Sequence, residues 1–535
     1  MKFLRISGIK LNLDENEGQL KEKAASVLSL SPSSVRQITV IKKAIDARRN
    51  KPPHFVYVVE VSVPDNFQFS GDREDGIHLQ ESGNISSEPC FSPIPSFRYR
   101  PAVVGSGPAG LFAAYVLAGR GLPVLLLERG TSIAKRKKDV RAFWEKGILN
   151  SASNVLFGEG GAGTFSDGKL TSRSKNPYSA WVKRILVEMG APAAVLTDAK
   201  PHIGTDLLEK VVINLRNRLL AMGCTIRFEA QVTDFAVRQG RLAAIIVNGN
   251  EEIEVNQLVL AIGQSADDTY EKLLANGVRM EAKPFAMGLR IEHPQELINS
   301  IQYGKWSQHG KLPPAEYFIT AAIPEMKRSV YTFCMCPGGK VIGCSAFPGY
   351  VLINGMSNSR RSGEFANSAV VVNVRIEDFA LREGPLAGLN FRGEWEKKAF
   401  EAGGGNYCAP AQRLTDFLQR KVPQPIGKTS FHPGTTPVLL DTVLPDFTVR
   451  ALRAGIHEFN KKMPGFITGE AHLIGVETRT SSPVRICRRS DGQSETVGGL
   501  YPCGEGSGYA GGIISSALDG IKAAENLINN LDYGL

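Results

Sequence analysis

The stretch RPAVVGSGPAGLFAAYVLAGRGLPVLLLERG, residues 100–130, constrains the fold of this chain more than any other segment. It reads as a short apolar strand, a glycine turn, a helix rich in alanine and leucine, and a second apolar strand, together a complete βαβ unit. The turn has G-x-G-x-x-G spacing at Gly105, Gly107 and Gly110. Gly105 permits the tight turn, Gly107 lets the backbone approach a pyrophosphate, and Gly110 lets the helix pack closely on the sheet. A phosphate there meets the unpaired N–H groups and positive dipole end of the helix. Glu128 ends the second strand, where a carboxylate can accept both hydroxyls of an adenosine ribose and disfavours a 2′-phosphate.

The same spacing recurs at 158–163 and 506–511 in a chain with 55 glycines, so context has to separate the three. The match at 506–511 follows an apolar strand and precedes one helix, without the further strand and carboxylate that an independent unit requires. It is expected to complete a sheet begun elsewhere, and the first βαβ unit is the obvious candidate. The match at 158–163 lies in GEGGAGTFSDGKL, which also spells most of a G-x-x-x-x-G-K phosphate cradle through Gly163, Gly168 and Lys169. Leu170 stands where that cradle needs Ser or Thr for magnesium, and no clear strand feeds the turn. No long apolar helix comes after it either, which leaves a glycine-rich loop open to close backbone approach.

At 535 residues the chain suggests about three domains, at roughly 100 to 200 residues each. Residues 1–63 read as strand, helix, strand, strand, and 65–99 as a linker rich in Asp, Ser, Gly and Pro. After the βαβ unit come an amphipathic helix around 207–220 and short strands ending in QLVLAIG. Residues 284–480 have short strands and many Gly and Pro, which reads as a largely β insertion. No apolar run approaches the roughly 18 residues of a membrane-spanning helix. The N-terminus lacks the pattern of a secretory or transit signal, so the expected location is cytoplasmic.

Eight scattered cysteines without a C-x-x-C suit reduced thiols. Cys334 and Cys336 are the one close pair, either a redox pair or small residues filling one sheet face. The histidines show no metal-ligand spacing, so no metal is expected. The net charge of +10 is spread along the chain, with one local basic run at Arg36, Lys42, Lys43, Arg48, Arg49 and Lys51. That run is a solvated face or, less simply, a contact for nucleic acid or protein.

The segments GSGPAG…ERG, LVLAIGQSA and GLYPCGEGSGYAGGI, with an insertion before the last, resemble flavoproteins whose FAD domain is split around a substrate domain. More narrowly, GEGGAGTFSDGKL, KPFAMGLRIEHPQ, TFCMCPGGKVI, NGMSNS, APAQRL and ETRTSSPVRI resemble a little-characterised bacterial family described as FAD-dependent, or NAD-utilising, dehydrogenases. The resemblance covers essentially the whole chain. It implies an α/β fold in which a Rossmann-like FAD-binding domain, 98–283 and 481–535, is split around a largely β substrate domain, 284–480. An N-terminal βαββ accessory domain with its linker occupies 1–97.

The resemblance also implies site residues. Gly105, Gly107 and Gly110 would face the FAD pyrophosphate, Glu128 the ribose and Val232 the adenine. Gly504 and Glu505 would lie along the pyrophosphate and ribityl chain, with Gly161, Gly163 and Thr164 beside the ring. Gly511, Gly512 and Ile513 would present a helix N-terminus to the N1/C2 edge of the flavin, where the reduced ring is negative. The ATG turn usual in such proteins is here Ala261, Ile262, Gly263, which loses a hydroxyl and keeps the glycine.

For the chemistry, the same segments bring Asp167 and Lys169, Arg290, Glu292 and His293, and Arg479 towards the ring. The two arginines could clamp a carboxylate or phosphate, or else bridge the two domains. His293 could act as a general acid or base, or cap a turn. Cys503 would lie near the flavin as a redox thiol or a packing residue. The leading expectation is an FAD-dependent oxidoreductase moving a hydride to or from a small molecule at flavin N5, with NAD(P)H as a transient donor on the same face. The alternatives are an FAD-dependent RNA-modifying enzyme recruited through the basic run, and a non-catalytic flavin-binding sensor.

Overall fold

The structure is a computed structural model that describes residues 2–48, 51–68, 76–81, 88–89, 91–94, 100–172, 174–379 and 384–531. In the N-terminal sheet, Lys2–Asn12 pairs antiparallel with His54–Val63, which pairs with Ile38–Asp46. Leu4 and Ile6 face the core, and so do Ile9 and Leu11, because the register slips between Ser7 and Ile9 and carries the inward face across one residue. The helix Leu20–Leu28 covers this face with Leu20, Ala24, Ala25 and Leu28. A fourth strand, His78–Glu81, pairs with Leu4–Ser7 and buries Leu79, although composition alone marks its segment as linker. The edge strand Ile38–Asp46 meets the next unit through the Lys43 N–H donating to the Thr197 carbonyl and the Ala199 N–H to the Lys43 carbonyl, each at 2.8 Å.

The second sheet is parallel throughout, in the order Leu500–Pro502, Leu258–Leu260, Ala102–Val104, Leu125–Leu127, Thr225–Arg227. Apart from the edge strand Thr225–Arg227, its strands are short buried runs because both faces are covered. The tail strand therefore completes the sheet begun at Ala102, with Leu258–Leu260 between them. The helices Pro108–Gly119 and Ile513–Asn529 pack together so closely that a Cβ on Gly520 would lie 2.0 Å from the Ala109 carbonyl oxygen. A three-stranded layer, Val232–Arg238, Arg241–Val247 and Glu251–Glu254, packs Phe235, Leu242 and Ile245 against Leu125, Leu127 and Leu258.

The third unit is an eight-stranded sheet whose long strands are Phe285–Pro294, Arg328–Gly343 and Phe365–Val374. It also carries two long helices, Ala387–Ala402 and Asp446–Lys462, that its turn-rich texture hides. The second packs Val449, Leu452, Ile456 and Phe459 into the same core as Leu289, Val330 and Val370. Where the chain crosses between the two units, Met280–Ala282 and Val484–Ile486 pair antiparallel and tie the crossings together. Among the described residues no helix is long and apolar enough to cross a membrane.

Candidate functional site

A cavity of about 420 Å³ opens where the parallel sheet meets the inserted one. Two helix N-termini point into it: Gly107, Pro108 and Ala109 from one helix, and Gly512, Ile513 and Ser516 from the other. Each N-cap is a glycine, Gly107 or Gly512, and neither supplies a side-chain cap. The first-turn N–H groups are thus left for an anion.

The first turn is set by glycine. Gly105 has φ +98, and a Cβ there would sit 2.3 Å from the Ala261 carbonyl oxygen. Glu128 buttresses the same turn from below. Its carboxylate accepts the Ser106 N–H at 2.9 Å, the Ser106 hydroxyl at 2.7 Å, the Gly130 N–H at 2.9 Å and the Gly158 N–H at 3.0 Å. A ribose hydroxyl would therefore share a carboxylate that is already ordered.

The loop at 158–165 lies against this turn without a helix of its own. Gly161 has φ 65 and ψ −166, and a Cβ on it would be 3.0 Å from Gly107 Cα. A residue that the loop's own sequence gives no hint of, Arg136, pins it. The fully buried Arg136 guanidinium donates from Nε to the Asn154 carbonyl, from Nη2 to that of Val155, and from Nη1 to those of Glu159 and Gly161.

Of the residues expected at a cofactor, Gly105, Gly107, Glu128, Gly161, Gly163, Val232, Gly263, Gly504, Glu505, Gly511, Gly512 and Ile513 all line this one cavity. Gly110 and Thr164 do not. Gly110 stands one layer back, where a Cβ would lie 1.8 Å from the Gly105 carbonyl oxygen, and the Thr164 hydroxyl donates to the Glu159 carbonyl at 3.2 Å. At Gly263 and Gly511 a Cβ would meet no atom within 4 Å, so the space beside them is open. The Glu505 carboxyl accepts the Gln264 amide at 3.1 Å, and burial pushes its pKa up to about 7 against the pull of Lys283 and Arg392.

The expected reactive side chains separate into two groups. Lys169 and Arg479 line the cavity. Lys169 Nζ is buried without a hydrogen-bond partner, 3.6 Å from the Asp167 carboxylate. Burial opposes its charge, yet nearby Cys336, Cys334 and Asp167 hold it above the ordinary lysine value. Asp167 itself is clasped by Arg361 and Ser357, so it ties the glycine-rich loop to the inserted unit. Arg479 grips Glu396 with Nε at 3.0 Å and Nη2 at 2.8 Å, while its buried Nη1 has no partner.

The residues of GLRIEHP are placed otherwise. Arg290 is fully buried and its donors are spent on Glu477, Asn367, Asn354 and the Cys334 carbonyl, so it braces the cavity wall instead of offering a fork to a substrate. Glu292 is buried and engaged by the Ser430 N–H and hydroxyl. His293 lies in the core of the inserted unit with Nε2 donating to the Phe466 carbonyl at 2.8 Å, and burial lowers its pKa to about 4. A neutral ring outside the cavity is not positioned as a general acid or base there. The strand Phe285–Pro294 is buried on both faces, so alternation could not say which of its side chains reach a site.

The basic run is partly absorbed by the protein itself. Lys43 pairs with Glu17 at 2.8 Å and Arg48 with Asp46 at 2.6 Å, whereas Arg49 lies outside the described residues.

Comparison with known proteins matches residues 284–480 to a "FAD-dependent protein, C-terminal domain-like" family, 103–158 to an NAD(P)-binding Rossmann-like domain and 3–62 to a domain of unknown function. An uncharacterised protein of Clostridium beijerinckii is 44% identical over 532 residues, covering 99% of each chain. Among solved structures, glycine oxidase from Bacillus cereus is 11% identical with a TM-score of 0.35, covering 81% of this chain and 96% of its own. Glycerol-3-phosphate dehydrogenase from Bacillus halodurans, complexed with FAD, is 10% identical with a TM-score of 0.37, covering 81% and 65%. Nothing about reaction or substrate passes to this chain from likeness so remote. With the Clostridium beijerinckii protein, this chain belongs to a family of FAD-dependent flavoproteins, and FAD is its cofactor.

Proposed function

We propose that the protein is an FAD-dependent oxidoreductase that moves a hydride between flavin N5 and a small anionic molecule. The observation that carries this reading is the cavity itself: two uncapped helix N-termini and the glycine loops meet there, together with two buried cationic donors that lack hydrogen-bond partners, Lys169 Nζ and Arg479 Nη1. Bound FAD supplies the electron chemistry, and the chain supplies position and charge. The Pro108–Gly119 N-terminus would take the pyrophosphate, and the Ile513–Asn529 N-terminus would face the charge that gathers near N1 on reduction. Lys169 and Arg479 would hold a carboxylate or phosphate of the substrate. On this reading 98–283 and 481–535 form the FAD-binding unit, 284–480 the substrate unit and 1–97 an accessory unit.

Anaerobic titration of the purified flavoprotein with NADH and NADPH tests the donor. Bleaching of the visible flavin band by either one supports a nicotinamide visiting the same face, and bleaching by neither removes it as the electron donor. Once a turnover assay is in hand, Lys169→Met and Arg479→Met should each lower kcat/KM for an anionic substrate about 10- to 100-fold, the value of a charge-assisted hydrogen bond.

A further inference from the structure

Cys334 and Cys336 sit in the strand Arg328–Gly343 at the point where its pairing with Phe365–Val374 slips twice, between Phe333 and Cys336 and again between Cys336 and Gly339. Cys334 itself has φ +46, an uncommon conformation for a residue with a Cβ. On a regular strand, residues two apart lie about 6.6 Å from each other, near the upper limit for a disulfide. A left-handed residue at a bulge curls the chain and shortens that span. The Cys336 thiol lies 3.3 Å from the Cys334 carbonyl oxygen, and both cysteines are free thiols here.

The two sulfurs have different surroundings. Cys334 is half-buried and lines the cavity that takes the FAD, and Cys336 is fully buried behind it. Two cations act on this pair: Arg290, whose Nη1 donates to the Cys334 carbonyl at 3.3 Å, and Lys169, whose buried Nζ has no hydrogen-bond partner. A hydrogen bond from the Cys336 thiol and the charges of Lys169 and Arg290 outweigh burial and the Asp167 carboxylate, and hold the Cys334 thiol well below its ordinary value. The same bond and burial push Cys336 up. Cys344 and Cys503 line the same cavity, but burial raises both, so neither shares this poise.

We propose that Cys334 and Cys336 form a redox-active dithiol that exchanges two electrons with the bound flavin and reduces a low-molecular-weight disulfide entering the cavity. This rests on FAD being held in that cavity and not on the hydride substrate. In the first half, the Cys334 thiolate attacks the substrate disulfide. A Cys334–substrate S–S bond forms, the substrate S–S bond breaks, and one thiolate leaves and takes a proton from solvent. The Cys336 thiol then loses its proton and attacks Cys334 Sγ, forming the Cys334–Cys336 disulfide and expelling the second substrate thiol with that proton. In the second half, the internal S–S bond breaks to Cys334 thiolate and Cys336 thiol, taking up two electrons and one proton that FAD, reduced beforehand by a nicotinamide or another two-electron donor, would supply.

The test is anaerobic reductive titration with dithionite of the air-oxidised, FAD-loaded protein. Wild type should take up about four electron equivalents per flavin, two for the ring and two for the disulfide, whereas Cys336→Ser and Cys334→Ser should each take up about two. In parallel, alkylation and mass spectrometry of the oxidised wild type should find the 334–336 peptide protected until reductant is added, a readout that needs no variant to fold. Reduced wild type mixed with cystine should regain its flavin colour faster than either variant. Two equivalents in wild type with normal bleaching, or an alkylatable pair in the oxidised protein, overturns the dithiol and leaves the oxidoreductase reading standing. Four equivalents in a protein that no hydride donor or acceptor can turn over supports the dithiol and removes that reading.

Discussion

Two loops with identical glycine spacing, 105–110 and 158–163, do different work a few ångströms apart. In the first, Gly105 and Gly110 each have a backbone oxygen where a side chain would start, and a long helix continues from the turn. A Cβ on Gly110 would lie 1.8 Å from the Gly105 carbonyl oxygen. In the second, the chain continues only into a 3-10 turn, Ala162–Phe165, and the loop is held from outside by Arg136. Its third glycine, Gly163, would place a Cβ 3.6 Å from Ile513, an ordinary contact. Glycine spacing specifies a turn, and the element downstream of the turn specifies its use.

The sharpest way to break this comparison is Gly110→Ala. The added methyl meets backbone that cannot move without unstitching helix from sheet, so a loss of about 3 kcal/mol, the upper end for overpacking, is expected together with loss of bound FAD. Urea unfolding and flavin content after purification would read it. Gly161→Ala should come next. Its φ and ψ lie in a region almost reserved for glycine, so about 1–3 kcal/mol of strain is expected, with weaker FAD binding but an intact fold. A fluorescence titration of apoprotein with FAD that gave the wild-type Kd would show that this loop does not support the cofactor.

A third loop, around 504–508, is sharpened by pH. Burial raises Glu505 from an ordinary 4.5 to about 7, so the folded state holds a proton that the unfolded chain has released. Its stabilising contribution is complete below about pH 4.5 and is lost as pH rises through 7. Glu505→Gln should therefore flatten part of the fall in Tm between pH 5 and 8. Glu292, also raised to about 7 by burial, accounts for a further part of that fall. The smallest effect is expected at Gly163→Ala: a stability change within about 0.5 kcal/mol and unchanged flavin content, in contrast to its positional twin Gly110.

Much of the candidate site was legible because a phosphate-type glycine turn is written into local backbone. Gly105, Gly107 and Glu128 are tied by a turn, a helix N-terminus and a strand end, all within one βαβ unit. The closing strand Leu500–Pro502 was legible for a related reason, since a half-unit has to borrow a sheet. The helix Asp446–Lys462 was missed although Val449, Leu452, Ile456 and Phe459 recur at helical spacing, because surrounding Gly and Pro dominated the texture. Arg136 left no readable signal, since nothing local distinguishes a cation on a helix that turns inward.

By itself, then, the sequence determined the βαβ unit, the glycine turns and the demand for a dinucleotide-type ligand, because those depend on spacing within a few residues. Only the tertiary structure decided which reactive side chains meet. Arg290 and His293 lie on a strand buried on both faces and turn away from the cavity, whereas Lys169 and Arg479, more than 300 residues apart, turn into it. Lys169 and Cys334 are likewise far apart in the chain, and no local rule brings an ammonium group beside a thiol. Packing between sheets does so, since the loop that carries one and the bulge that carries the other are fixed by different neighbours.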